Sequence, residues 1–181
     1  MTAPPSPLHL YAYDACPYCR RVRQAFESMG LTYLSVPCAR GAKGRAAVLR
    51  AGGKAQFPFF ADTATETAFY ESADIVDYVR EHYGLEEPGR WHKAAAFLSG
   101  FGRSQRVAPP ELQVPENTPV VFIQEAGDEF RRVRRLLEDL DLMHWVRTTG
   151  EGPSPTLELP GQTVHLVGFA AIEAHLTGPQ P

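Results

Sequence analysis

The sequence predicts an α/β fold: a small mixed sheet flanked by helices, laid down twice along one chain. Three observations carry this. Short apolar runs alternate with stretches of helical periodicity. Glycine and proline punctuate the joins between them. A shift of 111 positions lays residues 9–41 over 120–152 without a gap.

The first copy reads in order. "LHLYAY" (8–13) is a short aromatic-rich apolar run and fits a buried strand. A helix starts at Pro17, with Val22, Ala25, Phe26 and Met29 on one face and Gly30 as its stop. "LTYLSV" (31–36) is a second strand, broken by Pro37. "KGRAAVLRA" (43–51) is a second helix, closed by Gly52-Gly53. "FPFFAD" (57–62) and "TAFYES" (67–72) are two strands around a turn. Over 72–84, Ser72 caps a third helix whose apolar face is Ile75, Val76, Val79 and Tyr83. The order is β-α-β-α-β-β-α. The first two strands should be parallel with a right-handed crossover, and the last two a hairpin.

Residues 85–118 interrupt the pattern with Pro88-Gly89, Pro109-Pro110 and Pro115. They read as a linker with one short docking helix, whose face is Trp91, Ala94, Ala95, Leu98 and Phe101. The second copy follows over 119–178. Ala15/Ala126, Arg20/Arg131, Arg21/Arg132, Val22/Val133, Arg23/Arg134, Glu27/Glu138, Leu31/Leu142 and Gly41/Gly152 coincide. Fourteen residues then drop out, since Pro58 aligns with Pro155 at a shift of 97. That deletion removes the second helix. "TLEL", "TVHLV" and "FAAIEAHL" supply the final hairpin and helix.

Composition narrows the class. Apolar content of 44 % and charged content of 22 % are those of an ordinary globular protein. A net charge of −3 gives no support to nucleic-acid or anionic-membrane binding. No run of 18 apolar residues spans a bilayer, and "MTAPPSPLHL" lacks the basic and apolar regions of a secretory signal. The expected setting is the reducing cytoplasm, where a disulfide scaffold is disfavoured.

Two of the three cysteines form "CPYC" (16–19) at the junction of the first strand and helix. Free N–H groups and the helix dipole favour an anion there. Thiolate is the nucleophile, and such positions lower a thiol pKa from about 8.5 to between roughly 3.5 and 7.5. Cys16 is then the attacking thiol, and Cys19, nearly one turn on, can resolve its mixed disulfide. Pro17 suits the first helical turn, and Tyr18 can shape the opening. Two other readings stay open: a zinc site lacking nearby partner ligands, and a pair of inert buried cysteines. Cys38, near the end of a strand, reads as a passive apolar residue, with a regulatory thiol as the alternative.

"CPYC" (16–19), "QFP" (56–58) and "YESADIVDYV" (70–79) together resemble the glutaredoxin and glutathione-transferase N-terminal branch of the thioredoxin fold. The resemblance covers 8–84. It implies a glutathione site, with Pro58 as a cis-proline facing the cysteines. Phe57 would offer its backbone to the peptide-like ligand, and Glu71 and Ser72 would hold the γ-glutamyl end. A helix N-terminus suits that carboxylate. The whole chain also resembles proteins with two such domains in tandem. Here Cys16 and Cys19 align with Gly127 and Phe130, and Glu71-Ser72 with Gly168-Phe169. The second copy therefore lacks the residues for redox chemistry, and packing, dimerisation or partner docking is left to it. Arg131, Arg132, Arg134 and Arg135 read as a solvated helix face.

The expected function is a glutaredoxin-type oxidoreductase. It would act on small-molecule or protein disulfides with glutathione, or an equivalent low-molecular-weight thiol, as cosubstrate and with no metal. A redox-sensing binding module and a glutathione transferase are the alternatives.

Overall fold

The computed structural model describes residues 6–84, 104–124, 127–149, 152, 154–162 and 164–178. The docking helix expected around 91–101 lies outside them. The first half contains β1 (Leu8–Ala12), α1 (Pro17–Ser28), β2 (Tyr33–Pro37), α2 (Lys43–Gly52), β3 (Phe59–Asp62), β4 (Thr67–Phe69) and α3 (Ser72–Tyr83). The second contains β5 (Val120–Ile123), α4 (Asp128–Asp139), β6 (His144–Thr148), β7 (Thr156–Leu159), β8 (Val164–Val167) and α5 (Phe169–Thr177).

The first half is a thioredoxin-like α/β fold. β1 pairs parallel with β2 and antiparallel with β3, and β4 closes the edge as a hairpin partner of β3. β3 begins two residues later than the apolar run, because proline has no N–H for the ladder; the Phe57–Pro58 bond is cis. Val22 and Phe26 of α1 and Ile75 and Val79 of α3 are fully buried, as the helical spacing requires. Ser72 departs from expectation. The residue before the helix is Glu71, at φ 68°, and α3 starts at Ser72 without a side-chain cap.

The eight strands among the described residues form one sheet in the order β4-β3-β1-β2-β6-β5-β7-β8. β5 pairs parallel with β6 and antiparallel with β7, as β1 does with β2 and β3. The seam is the antiparallel pair β2–β6, with Tyr33 opposite Val146, Leu34 opposite Trp145 and Ser35 opposite His144. The 111-residue offset equates Tyr33 with His144, Leu34 with Trp145 and Ser35 with Val146. The pairing is therefore symmetric about Leu34 and Trp145, the geometry of a two-fold contact between like strands. Other backbone features recur at the same offsets. Ser154–Pro155 is cis like Phe57–Pro58. Positive φ occurs at Gly30 and Asp141, at Gly41 and Gly152, and at Glu71 and Gly168.

α1 and α4 cross the seam with reciprocal charges. Arg23 of α1 pairs with Glu138 of α4, while Arg134 of α4 faces Glu27 of α1 at 3.9 Å. All four are buried. Arg134 is thus not part of a solvated face, although Arg131 is exposed.

His144 is sealed at the seam, its Nδ1 3.0 Å from the Leu142 carbonyl. Burial above all pulls its pKa down to about 4. The folded imidazole stays neutral while the unfolded one takes a proton near 6.5. Stability is therefore lost as pH falls from about 6.5 towards 4, on the order of 3 kcal/mol from this residue. Burial raises the Glu27 and Glu138 carboxyls, which acts in the opposite sense, so the imidazole itself is the quantity to follow. Its NMR signal is expected to titrate near pH 4; a midpoint near 6.5 would contradict this packing.

Candidate active site

β1 delivers the chain to a tight loop, Tyr13–Ala15, and α1 begins at Pro17. This puts Cys16 at the N-cap with extended dihedrals, φ −86° and ψ 117°. Its sulfur takes the place usually held by a serine or aspartate oxygen and accepts the Cys19 N–H at 3.4 Å. A thiolate there gains that bond and the helix dipole together. Pro17 occupies the first helical position, where the missing N–H leaves no gap. Tyr18 stands 64 % exposed beside a Cys16 that is only 4 % exposed.

Cys19 is fully buried. Burial first, then the hydrogen bond and charge of Cys16, push its pKa up to about 12. It is therefore held as a thiol while Cys16 is reduced. Part of that restraint disappears once the Cys16 sulfur is tied up in a disulfide. Cys38 is also fully buried, with its sulfur 3.5 Å from the Val36 carbonyl. Burial drives its thiol far above the usual range.

Across from the cysteines lies the cis Phe57–Pro58 bond. The Phe57 carbonyl oxygen is 3.8 Å from Cys16 Sγ. Three neighbours were not anticipated. Tyr13 packs edge-on against the Phe57 ring at 5.8 Å. Its hydroxyl is raised by burial, with the charge and hydrogen bond of Cys16 adding to it. Arg45 of α2 lays its guanidinium 4.7 Å from the Phe57 ring centre and donates Nε to the Cys38 carbonyl at 3.2 Å. Gln56 donates its amide to Glu71 at 2.7 Å, linking the cis-proline loop to the start of α3. Arg45 carried only a weak sequence signal, because an arginine on an amphipathic helix ordinarily faces water.

Glu71 and Ser72 stand at that start, Glu71 exposed and Ser72 buried. A cavity of about 420 Å³ opens beside them, lined by Gly52, Lys54, Tyr70, Glu71, Ala73, Asp74, Ser104, Gln105 and Val107. Neither cysteine lines it. The linker residue Ser104 reaches in, donating its N–H and Oγ to Asp74 at 2.8 and 2.7 Å. The structure thus brings Cys16, Cys19, Phe57 and Pro58 together, with Pro17 and Tyr18 on the adjoining turn. It places Glu71 and Ser72 one step away, connected through Gln56.

Gly127 and Phe130, which the 111-residue offset aligns with the two cysteines, are the residue before α4 and a buried residue of its first turn. Among the described residues no group of His, Cys, Asp and Glu side chains is placed to hold a metal ion, and no helix is long and apolar enough to cross a membrane.

No curated protein and no solved structure matches the chain. Residues 10–88 do match a family model, that of the glutathione S-transferase N-terminal domain, in agreement with the thioredoxin-like fold around the cysteine pair.

Proposed function

We propose that the protein is a cytoplasmic thiol-disulfide oxidoreductase of glutaredoxin type. Its cosubstrate is glutathione or an equivalent low-molecular-weight thiol, and its substrates are disulfides of small molecules or proteins. The observation that carries this reading is the Cys16 sulfur at the helix N-cap, bonded to the Cys19 N–H and facing a cis-proline. We read residues 119–178 as a degenerate copy of the first domain, kept for its frame.

The Cys16 thiolate attacks the glutathione sulfur of a mixed disulfide. The old S–S bond breaks, and the substrate leaves as a thiolate that takes a proton from water. A glutathione thiolate then attacks the glutathione sulfur of the Cys16 adduct, giving oxidised glutathione and the free Cys16 thiolate. Alternatively Cys19 attacks Cys16, which expels reduced glutathione and leaves a Cys16–Cys19 disulfide. The first route consumes one glutathione thiol and regenerates Cys16; the second oxidises both cysteines, and two glutathione thiols then reduce the Cys16–Cys19 disulfide, leaving as oxidised glutathione. Phe57 and Pro58 would hold the peptide-like ligand, and Glu71 and Ser72 its γ-glutamyl end through hydrogen bonds at the start of α3.

The family match supports a second reading, conjugation of glutathione to an electrophile. Transferases of that kind continue into an all-helical domain, whereas here β5–β8 follow. Two assays separate the readings. Reduction of a glutathione mixed disulfide is expected, with no conjugation of an aromatic chloride; the reverse pattern refutes the proposal. Arg45→Ala should raise the KM for glutathione several-fold, roughly 3–10-fold, by removing a cation beside the Phe57 loop. An unchanged KM would remove Arg45 from the site.

A further inference from the structure

The loop that presents Cys16 is held from the other half of the molecule. The Asp14 backbone N–H donates to Glu138 Oε2 at 2.7 Å. The Asp14 carboxylate accepts Arg134 Nη2 at 2.8 Å. The second oxygen of Glu138 pairs with Arg23, one turn beyond Cys19 on α1. Asp14 lies two residues before Cys16, whose own N–H donates to the Tyr13 carbonyl at 3.3 Å.

Arg23, Arg134 and Glu138 are each 5 % exposed or less. Buried charged groups of this kind have few other arrangements open to them, so their geometry is well defined. A structural seam could be made from apolar residues alone. This one instead ends in two charged groups directed at the backbone and side chain of a single loop residue next to the nucleophile.

We propose that residues 119–178 act as a positioning element for the redox centre, with Glu138 and Arg134 holding Asp14 and thereby the loop that presents the Cys16 thiol. The proposal rests on the reading of Cys16 as the reactive thiol. It gives the half without cysteines a part in the chemistry. Glu138, Arg134 and Asp14 are positioning residues and touch no substrate.

The test uses the full chain and three variants: Glu138→Leu, Glu138→Gln and Asp14→Asn. Two quantities are measured per folded molecule. One is kcat and KM for reduction of a glutathione mixed disulfide. The other is the equilibrium constant of the Cys16–Cys19 couple against dithiothreitol. Glu138→Leu should lower kcat about tenfold with KM little changed, because a loosened loop misplaces the thiol. It should also shift the couple about threefold towards the disulfide, as the reduced sulfur loses its fixed N-cap bond. Glu138→Gln, which keeps an oxygen for the Asp14 N–H, should recover much of both.

A clamp with only a structural role lowers the urea midpoint and leaves kcat and the couple at wild-type values. That result overturns the proposal. Should Glu138→Leu fail to fold, Asp14→Asn carries the test. Its side chain is partly exposed, and a fall in kcat of about threefold is expected from the weakened Arg134 bond; no change overturns the proposal. A wild type that reduces no glutathione disulfide defeats the proposed function instead, and the dithiothreitol equilibrium still reads the positioning effect.

Discussion

Replacing Cys16 with serine is expected to lower reduction of a glutathione mixed disulfide by roughly 10³-fold or more, while Cys19→Ser retains activity within about threefold. The asymmetry follows from the two environments. Cys16 is the N-cap and its sulfur already receives a backbone N–H. A serine hydroxyl would take the same bond but has little nucleophilicity at neutral pH. Cys19 is fully buried, and burial pushes it up to about 12 although a backbone hydrogen bond at Tyr13 opposes the rise. At pH 7 it is therefore held as the thiol. Glutathione in solution then competes easily for release of the Cys16 adduct. Substrates whose adduct glutathione cannot reach need Cys19. Its thiol becomes easier to ionise once Cys16 is in a disulfide, because the charge and hydrogen bond of Cys16 help to raise it. Steady-state rates of the two variants check this. Equal losses for both would mean that the resolving step runs through Cys19 throughout.

The second large effect concerns stability. Arg23→Met is expected to destabilise the protein by about 3–5 kcal/mol at pH 7, seen as a lowered urea midpoint. Arg23 is 1 % exposed and pairs with Glu138, with Asp14 3.9 Å away. Its removal leaves the Glu138 carboxylate buried without its cation. Burial already raises the Glu138 carboxyl, and the Arg23 charge is the main influence opposing that rise. In the variant its folded pKa rises further, so the folded state gains a proton as pH falls. The penalty is therefore largest at neutral pH and shrinks towards the carboxyl range. The double variant Arg23→Met/Glu138→Met should regain most of the loss, because no buried charge remains unpaired. A double variant as unstable as the single would mean that packing, rather than charge, dominates at this crossing.

Much of the first half was legible in the sequence because its signals are local. Val22, Ala25 and Phe26 give the period of α1, and Gly30 marks the reversal after it, at φ 66°. Pro58 was placed by its resemblance and Pro155 by its alignment, and both follow cis bonds. The β2–β6 seam was not legible. "LTYLSV" lacks the polar alternation of a solvated edge, but nothing local says what covers it. Arg134 was misread for a related reason. Arg23 and Glu27, like Arg134 and Glu138, are spaced i and i+4, which usually means a surface pair on one helix. Arg23 and Glu27 flank the apolar stripe of Val22 and Phe26, and α4 carries the same pair of residue types at the same spacing. Each arginine therefore meets the glutamate of the other helix. Arg45 and Tyr13 escaped notice because their nearness to Cys16 depends on how α2 and the β1–α1 loop pack.

The most direct test of the account is to expose Cys19→Ser to oxidised glutathione at neutral pH and map the adduct by mass spectrometry. One glutathione per chain is expected, on the peptide carrying Cys16, with Cys38 unmodified in the folded protein. No adduct, or an adduct on Cys38 alone, would contradict it.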